Sequence, residues 1–317
     1  MGGTQAVAGL IATLLLAGCG RSGAIVVGSK NFTEQVILGE IVAQHIESRL
    51  GVKVDRKLNL GGTLLAHQAL VSGQIDLYPE YTGTALTAVL KLPVARDAAE
   101  VASKVNAEYR TQWNIEWLPS LGFNNTFAMV ITGGFDTLSQ AAARPQPWKL
   151  GVGYEFLTRP DGLPGLLQTY PLKLDGTPRS MDLGLLYQAL QQKQVEMVAG
   201  NATDGLIAAM KLTVLRDDKG YFPPYEAALA VRRVALDSHP GLRDALAQLS
   251  GRISTEAMRN MNYQVDGKHR TVRDVAKEFL DRSLTGAHAH AHVHAHGIGA
   301  ATVMERSVEC QRTHRHA

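Results

Sequence analysis

The chain has 317 residues, 45% of them apolar and 19% charged, and its 29 acidic and 32 basic side chains leave a formal charge of +3. That composition supports one large or two medium cores and excludes a chain disordered throughout. With no long basic run and no interleaving of basic and aromatic residues, it also excludes a nucleic-acid surface. The two cysteines, Cys19 and Cys310, stand near opposite ends and define neither a disulfide framework nor a thiolate metal site.

Ala6 to Leu16 is an apolar run, shorter than the ~20 residues that cross a bilayer and of the length of an export signal. It ends in Leu16-Ala17-Gly18-Cys19, which resembles the site where bacterial lipoprotein precursors are cut before a cysteine that then carries lipid, although no Lys or Arg precedes the run. The expectation is a signal peptide at 1–18 and a tether at 19–23, with Cys19 as the lipid-bearing residue that anchors the chain outside the cytoplasm. A buried N-terminal helix is the alternative.

Ala24 to Gly28 reads as a strand buried on both faces, and apolar residues at helical spacing from Ile37 to Leu50 follow it, with Asn31 or Thr33 as the expected N-cap. Lys30, Asn31 and Gln35 therefore stand at a strand's carboxyl end and a helix's amino end, where open α/β sheets place ligands. Val52–Leu58 alternates as a second strand, Leu64–Ser72 reads as a helix, and Gly73–Leu77 leads into a third strand. That strand enters Asp76-Leu77-Tyr78-Pro79-Glu80-Tyr81-Thr82-Gly83-Thr84, where Pro79 is expected to end regular pairing and Thr82 to open a short helix. The stretch has two readings: a ligand floor, or a corner with its tyrosines in the core.

A surface helix is expected between Leu92 and Asn114, and extended chain from Trp113 to Phe135. Leu150–Tyr154 begins a second α/β unit, with helices at Leu163–Tyr170 and Leu185–Lys193 and strands at Val195–Gly200 and Thr213–Leu215. Asp217–Glu226, stiffened by Pro223 and Pro224, reads as a return crossing into a strand at Ala227–Val234. Three closing helices are expected at Gly241–Ser250, Ser254–Gln264 and Thr271–Leu280. Beyond Leu284 the character changes: His288, His290, His292, His294 and His296 alternate with small residues. Such a tail is disordered with incidental metal affinity, handles a metal, or reflects a sequence artefact.

Six segments occur here in one order: Lys30 to Gln35, Asp76 to Thr84, Phe123 to Thr126, Glu155 to Gly162, Ala202 to Gly205 and Phe222 to Tyr225. Together they resemble the osmoprotectant-type substrate-binding proteins of ABC importers, which capture glycine betaine, carnitine, choline or related quaternary amines. The resemblance spans residues 24 to about 284. It implies an α/β, two-lobed periplasmic-binding fold of type II, with lobe 1 at 24–127 and 226–284, lobe 2 at 128–225, and a tail at 285–317. It also implies a monomer without cofactor, working with a permease and an ATPase. For the site it implies aromatic walls from Tyr81, Phe127 and Tyr225, with Lys30, Thr84 and Arg159 facing a ligand carboxylate and Gln35 lining the cleft. Asn201 stands where the family carries a cage tyrosine and Phe127 where it carries another. The amide of Asn201 in place of a ring implies a weaker betaine site or a ligand with a polar group near its cation, such as ergothioneine. An enzyme on the same architecture is the competing class, with Glu80, Glu155 and Asp204 as its acid or base. The sequence lacks the nucleophile-elbow, P-loop and zinc-protease motifs that would favour it.

Overall fold

The computed structural model of the chain describes residues 23–282, so the apolar segment before Cys19, Cys19 itself and the histidines from His288 to His296 lie outside the described residues. The first sheet begins with β1 (Ile25–Gly28), α1 (Thr33–Leu50), β2 (Val54–Lys57), α2 (Thr63–Val71) and β3 (Leu77–Tyr81). β1 pairs in parallel with both β2 and β3, an arrangement that needs helical crossovers such as α1 and α2. α3 (Thr82–Thr84) runs into a π-helical turn at Ala85–Val89, and α4 (Ala98–Trp113) and β4 (Ile115–Trp117) follow. The chain then enters a second sheet through β5 (Phe127–Ile131), α5 (Leu138–Ala142), β6 (Leu150–Val152), α6 (Leu163–Thr169), β7 (Arg179–Ser180), α7 (Leu186–Gln191), β8 (Met197–Asn201), α8 (Gly205–Ala209) and β9 (Thr213–Val214). It returns as β10 (Ala227–Arg232), followed by α9 (Arg233–Ser238), α10 (Leu242–Ala247) and α11 (Thr255–Asp266), with 272–282 also helical.

The strand orders are β2-β1-β3-β10-β4 and β7-β6-β8-β5-β9. Each sheet takes one antiparallel strand next to a crossing: β10 lies between β3 and β4, and β5 between β8 and β9. The two crossings run side by side, joined by an antiparallel bridge between Asn124 and Glu226 and by the Asn125 N–H donating to the Tyr225 carbonyl at 3.0 Å. Helices cover both faces of each sheet. On the first, Ile37, Ile41 and Ile46 of α1 pack with Val27, Leu229 and Leu246 on one side, while Leu70, Val101 and Val105 pack with Tyr78 and Ala230 on the other. Each of the valine, leucine and isoleucine side chains contributes about 1.5–3 kcal/mol by leaving water. The result is the two-lobed α/β architecture.

Three local expectations are corrected. Pro79 does not end pairing; it lies inside β3 opposite Leu229 of β10. The Leu229 carbonyl points the other way, accepting from Leu118 N at 3.0 Å, so the missing N–H of Pro79 is one that β10 does not use. On its other side β1 pairs with β3 only at Val27 and Leu77, and no ladder bond is lost. The N-cap of α1 is Phe32, without a side-chain cap. Its ring stacks on Tyr81 with centroids 6.4 Å apart, and Thr33 Oγ1 instead donates to Asp266 Oδ1 at 2.6 Å. The strand expected to reach Val234 stops at Arg232, whose guanidinium pairs with Asp76 at 3.2 Å before α9 begins. Among the described residues no helix is long and apolar enough to cross a membrane.

The second sheet's α8 rests directly on α11, and Gly205 permits it: a Cβ there would lie 2.3 Å from Tyr263 N. Because that neighbour is backbone, Gly205→Ala is expected to cost about 1–3 kcal/mol in urea unfolding. An unchanged midpoint would contradict the close seating of α8 on α11.

Candidate ligand-binding cleft

Lys30 leaves the end of β1 and is buried to 4% exposure, its Nζ 2.6 Å from Glu80 Oε1. Glu80 also accepts from Tyr78 OH at 3.1 Å and Tyr81 N at 2.7 Å. The Lys30 ammonium lies 4.6 Å from the centroid of the Tyr81 ring, whose hydroxyl donates to Glu34 Oε1 at 2.6 Å. Gln35 is fully buried; its Oε1 accepts from Lys30 N at 3.4 Å, and its Nε2 has no hydrogen-bond partner among the described residues. Of the sequence-derived residues, these three form one side of the join between the sheets.

From the second lobe, in the loop before α6, come Arg159 and Asp161. Arg159 Nε donates to Asp161 Oδ1 at 2.9 Å and Nη2 to Asp161 Oδ2, a bidentate fork, while Nη2 also reaches Thr84 Oγ1 at 3.3 Å across the cleft. Asp161 has no exposure and accepts two further bonds, from Thr87 Oγ1 at 2.8 Å and Tyr225 OH at 2.6 Å. Burial pushes this carboxyl up, but the bonds and charge of Arg159, aided by Tyr225 and Thr87, hold it below its ordinary 3.8. At the outer edge Glu155 accepts from Thr63 N at 2.7 Å and Thr63 Oγ1 at 3.0 Å, satisfying the start of α2 from the other lobe.

The aromatic side chains gather at the crossings. Phe127 meets Phe156 at 5.0 Å and Tyr225 at 5.5 Å edge-on and Phe222 at 6.0 Å in a tilted contact, and the Arg159 guanidinium lies 5.1 Å from the Phe127 centroid. Gly83 lets the second crossing come this close, since a Cβ there would lie 2.5 Å from the Pro224 carbonyl oxygen. Asn201 is paired with Phe127 across β5 and β8, so the two project on one face. Its N–H donates to Asp204 Oδ2 at 2.8 Å, and that oxygen also accepts from Tyr187 OH at 2.6 Å. Burial raises Asp204 despite those donors.

Sequence reasoning named the cations and rings, and Glu80 and Glu155 as acid or base candidates, but missed the acceptor that holds Arg159, Asp161, which stands inside the segment Arg159-Pro160-Asp161-Gly162. It also missed Glu34, a helix-start carboxylate that collects donors from several segments. Burial raises the Glu34 pKa, and the hydrogen bonds from Thr203, Tyr81 and Asn262 oppose that shift without reversing it.

Two sheets joined by paired crossings, with cations, carboxylates and rings from both meeting at the join, define a two-lobed substrate-binding protein. The family described as the substrate binding domain of ABC-type glycine betaine transport systems matches residues 23–282, and the chain belongs to that family. A glycine-betaine-binding protein of Pseudomonas aeruginosa is 35% identical over 285 residues, which cover 85% of this chain and 91% of that protein. The ergothioneine transport permease/ergothioneine binding protein EgtU of Helicobacter pylori is 33% identical over 265 residues, 81% of this chain but 47% of that protein, so this chain spans about half its length. Among solved structures, that of a glycine betaine/carnitine/choline ABC transporter is 32% identical and superposes with a TM-score of 0.69 over 81% of this chain and 98% of the other. Proteins of this family bind small solutes for ABC import, outside the cytoplasm.

Removing one member of a buried ion pair leaves the other uncompensated, at about 3–5 kcal/mol. Asp161→Asn is expected to lose that much at pH 7. Because the Asp161 pKa is depressed on folding, the stability it supplies is complete above about 3.8, the ordinary value, and is lost as pH falls through the folded value. The gap between variant and wild type in urea unfolding should therefore hold above that pH and narrow below it. A gap independent of pH would contradict the assignment.

Proposed function

We propose that this chain captures a quaternary-amine solute such as glycine betaine, choline or carnitine between its lobes and hands it unchanged to an ABC permease and ATPase. The observation that carries this reading is that the cleft's rings already serve as cation faces. Lys30 Nζ lies 4.6 Å from the Tyr81 centroid, and the Arg159 guanidinium 5.1 Å from Phe127 and 6.0 Å from Tyr225. A quaternary ammonium has no hydrogen to donate, so ring faces are what attract it, at about 0.5–2 kcal/mol each. The ligand's carboxylate would share Lys30 and Arg159 with Glu80 and Asp161, helped by Thr84 and by Gln35 Nε2, the end of that amide left without a partner among the described residues. Binding without chemistry is supported by the engagement of each acid or base candidate: Glu80 by Lys30, Glu155 by Thr63, and Asp204 by Tyr187 and Asn201. The anchor proposed for this monomer is lipid on Cys19. No cofactor enters the scheme.

A second reading is favoured by Asn201, which brings an amide onto the face that bears Phe127. A betaine with an additional polar ring, such as ergothioneine, would use that amide, and one relative carries ergothioneine in its name.

Calorimetric titration of the full chain with glycine betaine, carnitine, choline, proline betaine and ergothioneine tests both readings. Saturable single-site binding of at least one simple quaternary amine is expected, with Tyr225→Ala weakening it roughly tenfold or more. Binding confined to ergothioneine selects the second reading. Silence toward every compound overturns the ligand class.

A further inference from the structure

We propose that Glu34 is a positioning residue that ties the ligand-facing ring of Tyr81 to the second lobe. It lies in the first turn of α1 at 3% exposure, and its two carboxylate oxygens divide their partners by place in the fold. Oε1 accepts from Tyr81 OH at 2.6 Å and Asn125 Nδ2 at 2.8 Å, in the first sheet and the first crossing. Oε2 accepts from Thr203 Oγ1 at 2.5 Å and Asn262 Nδ2 at 3.0 Å, in the turn after β8 and in α11. Asn262 Nδ2 also donates to the Thr203 carbonyl at 2.9 Å, and Arg259 Nη2 to the Ala202 carbonyl at 2.8 Å, so α11 clamps the turn that presents Asn201.

All four donors to Glu34 are neutral. A buried carboxylate without a cation partner depends on the number of hydrogen bonds it keeps. Separating the Asn201 turn from α1 removes the Thr203 bond, and rotating the Tyr81 ring away removes another. Asn125 and Asn262 add to the link through their Nδ2 groups, one to each carboxylate oxygen, and Asn262 Nδ2 holds the Thr203 carbonyl as well. One carboxylate thus sets the spacing between a wall on the first lobe and the loop that faces it from the second.

The test is a double-mutant cycle with Tyr81→Phe and Thr203→Val, each removing a hydroxyl and keeping the shape. It is run in the full chain with Cys19 and Cys310 as serine and spin labels on Leu64→Cys and Tyr154→Cys, both exposed and flanking the Thr63–Glu155 contact. Thr203→Val, which cuts the bond between the lobes, is expected to shift the ligand-free label distances toward longer values, whereas Tyr81→Phe, which cuts a bond within the first lobe, leaves them near wild type and adds nothing in the double variant. The second readout rests on the function proposed above: each single variant weakens quaternary-amine binding roughly tenfold, and the double by roughly tenfold rather than a hundredfold. Additive effects, or label distances unmoved by Thr203→Val, overturn the role of Glu34. If no quaternary amine binds the wild type, the ligand reading falls, while the distance arm still decides this one.

Discussion

A guanidinium buried to 8% exposure has to find its counter-charge where it lies, and Arg159 finds it in Asp161. Much of the cleft's geometry follows from that requirement. Asp161 completes its shell with Thr87 from the first lobe and Tyr225 from a crossing, so the neutralised pair also joins the lobes. Thr84 and Glu155 approach the same guanidinium from either side. With the charge held in place, the guanidinium carbon lies over the Phe127 ring, and the other aromatic side chains pack around that contact.

Lys30 and Glu80 repeat the device on the first lobe, with Tyr81 as the ring. Each half of the cleft therefore combines a buried cation, a matched carboxylate and an aromatic face. The carboxylates keep the cations from carrying uncompensated charge, and the rings gain an environment already suited to positive charge.

The fold was legible in the sequence because strand and helix alternate with clear periodicity, from Ala24 to Leu77 and again from Leu150 to Leu215. Local misreadings came from facts that period and propensity do not carry. Pro79 has the residue type of a terminator, yet the parity of its ladder position makes its missing donor harmless. Asn31 and Thr33 were better caps by residue type than Phe32, but the Phe32 ring had a partner in Tyr81. The site was legible as residue types and not as pairings. Glu34 draws its donors from positions 47, 91, 169 and 228 residues away, and no local pattern announces bonds of that range. Asp161 was in view throughout, but its capture of Arg159 depends on the turn made by Pro160 and Gly162.

The central claim is that aromatic faces at the join between the lobes receive the ligand's cation. It is tested most directly by nuclear Overhauser contacts between the N-methyl protons of a bound quaternary amine and the ring protons of the protein. The account predicts an upfield-shifted N-methyl resonance with contacts to the rings of Phe127, Tyr225 and Tyr81, each lost when that ring is replaced by leucine. An N-methyl resonance in contact only with aliphatic side chains would contradict it.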